Sequence, residues 1–305
     1  MFPDAGIRIL GLCASRLRWI KTSECRVKVK VRVQILTTED TGVHRGSLPL
    51  SFYKKPGLVV YVTCGDPDLA TTRAVVLAAI EAGADVIELG VPFSDPVADG
   101  PVIQRASERA LKHGTCLAQV LTLAAEVRQH AQSTGIVVFS YLNPILRMGI
   151  EKFCAVARHA GVDGVLLTDL PVEEAGPYLR AMKSNDLAPV FLAAPTSPNP
   201  RLKRIAEASR GFVYAVSRTG VTGARQQLAD DAQKLVKRLR RVTKLPIAVG
   251  FGISNAEQFA EVGKFADAAV VGSAIVETIE RNRGREAHAV GEFVGRLTVN
   301  SSPRN

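Results

Sequence analysis

The sequence predicts an α/β fold, a (β/α)8 TIM barrel with an extra helix after strand 2. Three observations predict it. Eight short apolar runs recur from residue 57 onward, and helix-like segments separate them. The runs are apolar on both faces, as parallel strands covered on both sides must be. Eight βα units in about 250 residues favour closure, because crossovers are right-handed and a closed sheet leaves no edge. A doubly wound open sheet is the alternative. It more often has fewer strands and one Gly-rich loop near its start, whereas the Gly-rich loops here come late.

The predicted strands are residues 57–63, 84–89, 136–141, 164–168, 189–193, 212–216, 246–249 and 268–271. The predicted helices are 70–82, 116–130, 151–160, 173–185, 201–208, 229–241 and 256–263. The extra helix, 101–112, lies in the second connection, with Pro101 placed to open it.

The remaining segments do not share this rhythm. Residues 1–47 form no convincing packed unit. Val27 to Ile35 alternates strictly and reads as one amphipathic strand, but a lone strand is not stable. Neither a transit peptide nor a secretory signal fits the acids and the interrupted apolar runs. The expectation is therefore an N-terminal extension over 1–47, disordered or a start-site artefact with translation starting near Leu48. A barrel domain is expected over 48–298 and a tail over 299–305.

Composition excludes several classes. The chain is 47% hydrophobic and 22% charged, which is globular rather than disordered. The longest stretch free of Lys, Arg, Asp and Glu, 129–146, holds Gln129, His130, Gln132 and Pro144, so it is no membrane span. Five widely spaced cysteines without a C-x-x-C argue against a disulfide framework and for the cytoplasm. Half of the net charge of +10 falls in residues 1–50, and the other basic residues are scattered. A solvated basic face therefore outweighs a nucleic-acid footprint. The five histidines are dispersed, so no metal site is expected.

In such a barrel the chemistry sits where strands end and βα loops begin. The second run ends on Glu88. A carboxyl closing an apolar strand loses hydration, so its pKa rises and it can exchange protons near neutral pH. The bland alternative is a structural Glu paired with an Arg. The loop after it, 91–101, carries three prolines together with Asp95 and Asp99. Asp99 is either a helix cap or a second carboxylate over the barrel mouth. Asp169 ends the fourth run, either orienting a neighbour or acting directly. Tyr141 and Asn143 end the third. Three Gly-containing loops follow the last three runs: Arg218 to Gly223, Gly250 to Ser254, and Gly272 to Ala274. The pair after strands seven and eight is where barrels hold phosphate, helped by the positive end of a helix. The residues alone thus point to a phosphorylated small molecule and carboxylate acid–base chemistry.

The run Glu88-Leu-Gly-Val-Pro-Phe-Ser-Asp-Pro-Val-Ala-Asp99-Gly-Pro, then Ile103-Gln104-Arg105-Ala106, resembles the signature of the tryptophan synthase α chain family. The resemblance continues, in order, through Thr63 to Pro67, Tyr141 to Pro144, Thr168 to Pro171, Ser217 to Gly223, Gly250 to Ser254 and Gly272-Ser273, over about residues 48–298. It implies a lyase of tryptophan biosynthesis that cleaves indole-3-glycerol phosphate by a retro-aldol step to indole and glyceraldehyde 3-phosphate. By the same resemblance Glu88 and Asp99 are the catalytic pair. Tyr61, Tyr141, Asn143, Asp169, Tyr214, Thr222 and Phe251 lie around the substrate, Tyr214 and Phe251 being equally explicable as core. Thr222 sits on the mobile loop over the site, within reach of Asp99. Gly223, Gly252, Gly272 and Ser273 hold the phosphate. The family's partner is a β chain that uses pyridoxal phosphate to join indole to serine, in an α2β2 heterotetramer. Pro92, Asp95 and Pro96 belong to that contact, and no cofactor is implied in this chain. Residues 1–47 depart from the family pattern.

Three rival readings remain at this level. Another phosphate-binding barrel enzyme explains the glycines but not the spacing of Glu88 and Asp99. A catalytically idle scaffold would tolerate loss of a carboxylate, yet both are present. A nucleic-acid binder would show affinity falling steeply with salt.

Overall fold

A computed structural model describes residues 20–21, 26–27, 50, 52, 54–216, 225–250, 252–299 and 302–303. The chain divides into two units, Met1–Arg45 and Gly46–Asn305. In the first, the described residues form one antiparallel pair, Ile20–Lys21 with Arg26–Val27. Most of the strand expected from Val27 to Ile35 lies outside the described residues.

The second unit holds a sheet of nine parallel strands. They are β1 (Gly57–Thr63), β2 (Val86–Gly90), β3 (Gly135–Ser140), β4 (Gly164–Leu167), β5 (Ala188–Val190), β6 (Leu192–Ala193), β7 (Val213–Val216), β8 (Ile247–Gly250) and β9 (Ala268–Val271). The hydrogen-bonded order is β5-β4-β3-β2-β1-β9-β8-β7-β6. Its two ends, β5 and β6, are successive pieces of the single run predicted at 189–193, parted by Phe191. The sheet therefore nearly closes on itself, and the Tyr214 N–H bonds the Phe191 carbonyl oxygen at 3.1 Å across the join. The eight predicted runs are the eight staves of this barrel.

Helices surround it: α1 (Leu69–Glu81), α2 (Pro101–Lys112), α3 (Leu117–His130), α4 (Leu142–Met148), α5 (Ile150–His159), α6 (Gly176–Ser184), α7 (Asn199–Ala208), α8 (Arg225–Leu239), α9 (Ala256–Gly263), α10 (Ser273–Arg281) and α11 (Glu286–Thr298). The extra helix after strand 2 is α2, opened by Pro101. Local chemistry starts several of them. Asp68 caps α1 by accepting from the Thr71 N–H at 2.7 Å, and Asn255 caps α9 through the Gln258 N–H at 2.9 Å. Several helices depart from the prediction. No helix is predicted between the third run and residue 151, yet Leu142–Met148 forms α4, with Pro144 inside the first turn where a missing N–H costs little. The helix predicted from 173 begins at Gly176, with Pro177 in its first turn. After β9 the chain continues through α10 into α11, which packs along α1.

Strand parity divides the core in two. Leu58, Val60, Ile87, Leu89 and Val138 point outward and meet the helices. Val59, Val86, Val137, Leu166, Val190, Ala248 and Ala268 point inward. Leu50 and Phe52 join this inner cluster and plug the end of the barrel where the strands begin. A Cβ on Gly57 would stand 2.4 Å from the Phe52 ring, and one on Gly211 would stand 2.7 Å from Leu50. Glycine at these strand starts is what admits the plug.

At the same end, three aspartates fasten neighbouring strands. Asp85, Asp163 and Asp267 each stand just before a strand and accept the backbone N–H of Leu58, Ile136 and Ile247 in the strand beside it, each at 2.8 Å. Arg128 pairs with buried Asp163 at 2.5 Å and donates to the carbonyls of Gly161, Ala131 and Thr134. A buried pair with this many hydrogen bonds is costly to break from one side, because the remaining charge loses its partner. The rigid closed end leaves the opposite end, where the strands stop, for chemistry.

Candidate active site

Parity along β2 decides where Glu88 goes. Val86 and Glu88 share the inward face, while Ile87 and Leu89 face the helices. Register sets Glu88 beside Tyr61 of β1 on one side and Val137 of β3 on the other. Glu88 is 0% exposed, and neither carboxyl oxygen has a hydrogen-bond partner among the described residues. The alternative of an Arg-paired structural Glu therefore has no support there. Burial disfavours the charged form and pushes the carboxyl up to about 8. At neutral pH it holds its proton.

Asp99 reaches the mouth from the other direction, on the loop before α2. The capping residue of α2 is Gly100, without a side-chain bond, so Asp99 is not the cap. Its Oδ2 instead accepts the Tyr141 hydroxyl at 3.2 Å. That hydroxyl in turn accepts the Ala98 N–H at 2.9 Å, and the Phe93 ring packs on Tyr141 with centroids 5.0 Å apart. Burial raises Asp99 to about 6, partly offset by the Tyr141 bond. Two carboxyls with pKa values on either side of neutrality now share one barrel mouth. One is an acid, the other an anion.

Three tyrosines from different strands converge on this pair. Tyr61 lies edge-on to Phe139 at 5.1 Å, and its phenol is pushed well up by burial and by the charge of Asp99. Tyr214 is pushed up by burial and then by Glu88, Tyr61 and Asp99. Tyr141 is raised by burial and by Asp99. These mutual influences place Tyr61, Tyr141, Tyr214, Glu88 and Asp99 in one neighbourhood.

Two glycines make the arrangement possible. A Cβ on Gly90 would stand 2.4 Å from the Tyr61 hydroxyl, and one on Gly250 would stand 2.8 Å from the Tyr214 hydroxyl. Each tyrosine lies across the end of the neighbouring strand. Gly90 was legible only as part of the motif, and its service to Tyr61 is a tertiary fact. Gly90→Ala is expected to displace the Tyr61 ring and lower turnover about tenfold or more, since small misplacements are costly in a preorganised site. Steady-state kinetics check this; unchanged turnover would show that the ring has room to move.

The other expected residues are distributed as follows. Asp169 is exposed, and its Oδ1 accepts the Leu142 N–H at 2.7 Å, bracing the start of α4. Asn143 is exposed on α4. Gly252 has φ of +57°, a conformation suited to glycine, and Gly272 caps α10, whose first residue is Ser273. Gly252 and Ser273 are exposed and follow the adjacent strands β8 and β9. Pro92 is buried, Asp95 is exposed and Pro96 is partly exposed. Thr222, Gly223 and Phe251 lie outside the described residues. Phe93, which packs on Tyr141, Phe139, which packs on Tyr61, and Thr168 were not singled out by sequence. A cavity of about 360 Å³ opens beside the mouth, lined by Thr168, Asp169, Phe191, Leu192 and Arg201 among others. Among the described residues no cluster of His, Cys, Asp or Glu is arranged to hold a metal, and no helix is long and apolar enough to cross a membrane.

The sequence model of the family described as tryptophan synthase alpha chain matches residues 50–299. The chain belongs to that family. It is 50% identical over 240 residues to the tryptophan synthase alpha chain of Neisseria meningitidis serogroup B, covering 79% of this chain and 92% of that one. It is 53% identical over 228 residues to that of Solibacter usitatus, covering 75% and 85%. The tryptophan synthase complex of Pyrococcus furiosus contains a chain that superposes with a TM-score of 0.73 at 38% identity, over 81% of this chain and 99% of that one. As a tryptophan synthase α chain it is a lyase of tryptophan biosynthesis, cleaving indole-3-glycerol phosphate to indole and glyceraldehyde 3-phosphate. The Glu88 to Pro101 motif that carries the resemblance is the segment that supplies both carboxyls.

Proposed function

We propose that Glu88 and Asp99 divide the acid–base work of this cleavage. The observation that carries the reading is their opposite poise: burial holds Glu88 protonated up to about pH 8, while Asp99 is ionised above about pH 6. Indole carbon leaves poorly until C3 is protonated. Neutral Glu88 gives its proton to C3, and the ring becomes an indolenine cation. The Asp99 carboxylate holds the ring N–H and stabilises that charge. Glu88, now a carboxylate, takes the proton of the C3′ hydroxyl. The C3–C3′ bond breaks, its electron pair restores the indole ring, and the carbonyl of glyceraldehyde 3-phosphate forms. Glu88 ends protonated, ready for another turnover. Proton transfers of this kind contribute about 10²–10⁴-fold each.

Tyr61, Tyr141, Asn143, Asp169, Tyr214, Thr222 and Phe251 surround the indole and glycerol portions in this reading. The backbone N–H groups of Gly223, Gly252, Gly272 and Ser273 take the phosphate. Gly272 and Ser273 at the start of α10 suit an anion. The catalytic unit is residues 48–298.

The partner is a β chain carrying pyridoxal phosphate, in a cytoplasmic α2β2 assembly. Loop 92–99 supports this: Asp95 is exposed and Val97 is 86% exposed beside Asp99. An apolar side chain so placed suits a docking surface. Docking there orders the Asp99 loop and raises turnover. The test is indole release from indole-3-glycerol phosphate by the purified chain, with and without a tryptophan synthase β chain. Slow release that rises with the partner is expected. Release that ignores the partner would discard the assembly, and no release at all would leave the idle-scaffold reading in its place.

A further inference from the structure

A network of charges outside the acid–base pair ties together the loops that form the mouth. Arg109, on α2, spends its whole guanidinium on two carboxylates. Nε and Nη2 donate to Oδ1 and Oδ2 of Asp66 at 2.8 and 2.7 Å, and Nη1 donates to Glu280 Oε1 at 2.7 Å. Asp66 lies in the loop after β1, and its side chain is 1% exposed. Glu280 lies in the last turn of α10, the helix that starts at Ser273. Arg283 also donates to Asp66 at 3.2 Å, and Arg105 to Glu280 at 2.9 Å. One side chain thus joins the connection after β1, the helix after β2 and the helix after β9.

The same helix controls Asp99. Gln104 Nε2 donates to the Asp99 carbonyl oxygen at 2.8 Å, so the Asp99 backbone moves with α2. Val102, Ile103 and Ala106 pack α2 against Tyr61 and Val276. Those apolar contacts hold the helix down, but they permit sliding. The bidentate fork does not, because both of its bonds share one plane and one direction.

We propose that Arg109 is a positioning residue for the reaction: its fork fixes α2 on the β1 loop and α10, and thereby sets where the Asp99 carboxylate stands in the mouth. Arg109 acts through Asp99 and touches none of the reacting atoms, so the proposal rests on the assignment of Asp99. With the fork removed, α2 slides and Asp99 becomes better hydrated. Its carboxyl then falls from about 6 toward the ordinary range, because burial is what raises it. Among the described residues, the titratable groups around Asp99 are Tyr141, Tyr61, Tyr214 and Glu88. Those around Arg109 are Asp66, Glu280, Arg105 and Arg283.

The experiment compares Arg109→Lys, Glu280→Gln and Asp99→Asn with the unaltered full-length chain, reading kcat and KM for indole-3-glycerol phosphate from pH 5 to 9, with circular dichroism as a folding check. Arg109→Lys keeps the charge and loses the fork. It is expected to lower kcat about tenfold, to change KM less than kcat, and to move the acidic limb of kcat/KM down by about half a unit or more. Glu280→Gln removes the charge of one arm only and is expected to shift both readouts in the same direction by less; it carries the test if Arg109→Lys does not fold. Unchanged kcat and limb in the folded variants, beside an inactive Asp99→Asn, overturn the positioning role alone. A fall in kcat with the limb unmoved also overturns it, since that is general loosening. Full activity in Asp99→Asn removes Asp99 from the mechanism and the proposal with it.

Discussion

Glu88→Gln is expected to lower turnover by at least about 10²-fold. Glutamine matches the shape of the protonated side chain but cannot give a proton to C3 or take one from the C3′ hydroxyl. The loss should fall on kcat, with KM little changed, because in the proposed reading the substrate's phosphate is held at the loops after β8 and β9. Stability provides a second readout with a definite sign. The folded carboxyl sits near 8, above its ordinary value of 4.5. Between those values the native state binds more protons than the unfolded chain, so stability falls as pH rises through that window. The glutamine variant has nothing to titrate at this position. Its Tm should therefore gain on the unaltered chain from pH 5 to pH 8 and hold that gain above. Wild-type turnover in the variant, or a Tm difference flat across pH, would remove Glu88 from the role given to it.

Asp99→Asn is expected to cost at least about 10²-fold as well, for a different reason. Asparagine still accepts a hydrogen bond from Tyr141, so the loop geometry survives. The negative charge facing the ring N–H does not, and the indolenine cation loses its counter-charge. Since the carboxyl titrates near 6, the unaltered enzyme should lose kcat/KM as pH falls through that value, and the variant should lack this limb. In the unaltered chain the limb near 6 and the loss of the Glu88 proton near 8 together give a bell. Pre-steady-state or steady-state indole release across pH reads both limbs. A variant that keeps its acidic limb would mean that another group titrates there.

The separation between sequence and structure follows from distance along the chain. The strands were legible because each is a local run, apolar on both faces, and that pattern needs no partner to be recognised. Eight such runs with helices between them leave little besides a closed parallel barrel. Other features were hidden. The fifth stave breaks at Phe191 because one half pairs with β4 and the other with β7. Helix α4 lies where no helix was predicted, and it is braced by Asp169, which arrives from the end of another strand. Leu50 of the plug depends on Gly211, which lies far away in sequence, whereas Phe52 depends on nearby Gly57.

For the candidate site, the sequence by itself determined which groups are present: Glu88 at a strand end, Asp99 before a helix, and glycines after the last strands. These are local choices of residue type, and the Glu88 to Pro101 motif holds both acids within one connection. Only the tertiary structure decided how those groups behave. Glu88 becomes an acid because the barrel closes around it and, among the described residues, leaves its oxygens without partners. Asp99 remains an anion near neutrality because its loop keeps it less deeply buried and Tyr141 donates to it. A pKa is set by solvent exclusion and by neighbours in space, and both arise when β1, β2, β3 and β7 bring Tyr61, Glu88, Tyr141 and Tyr214 to one end of the barrel.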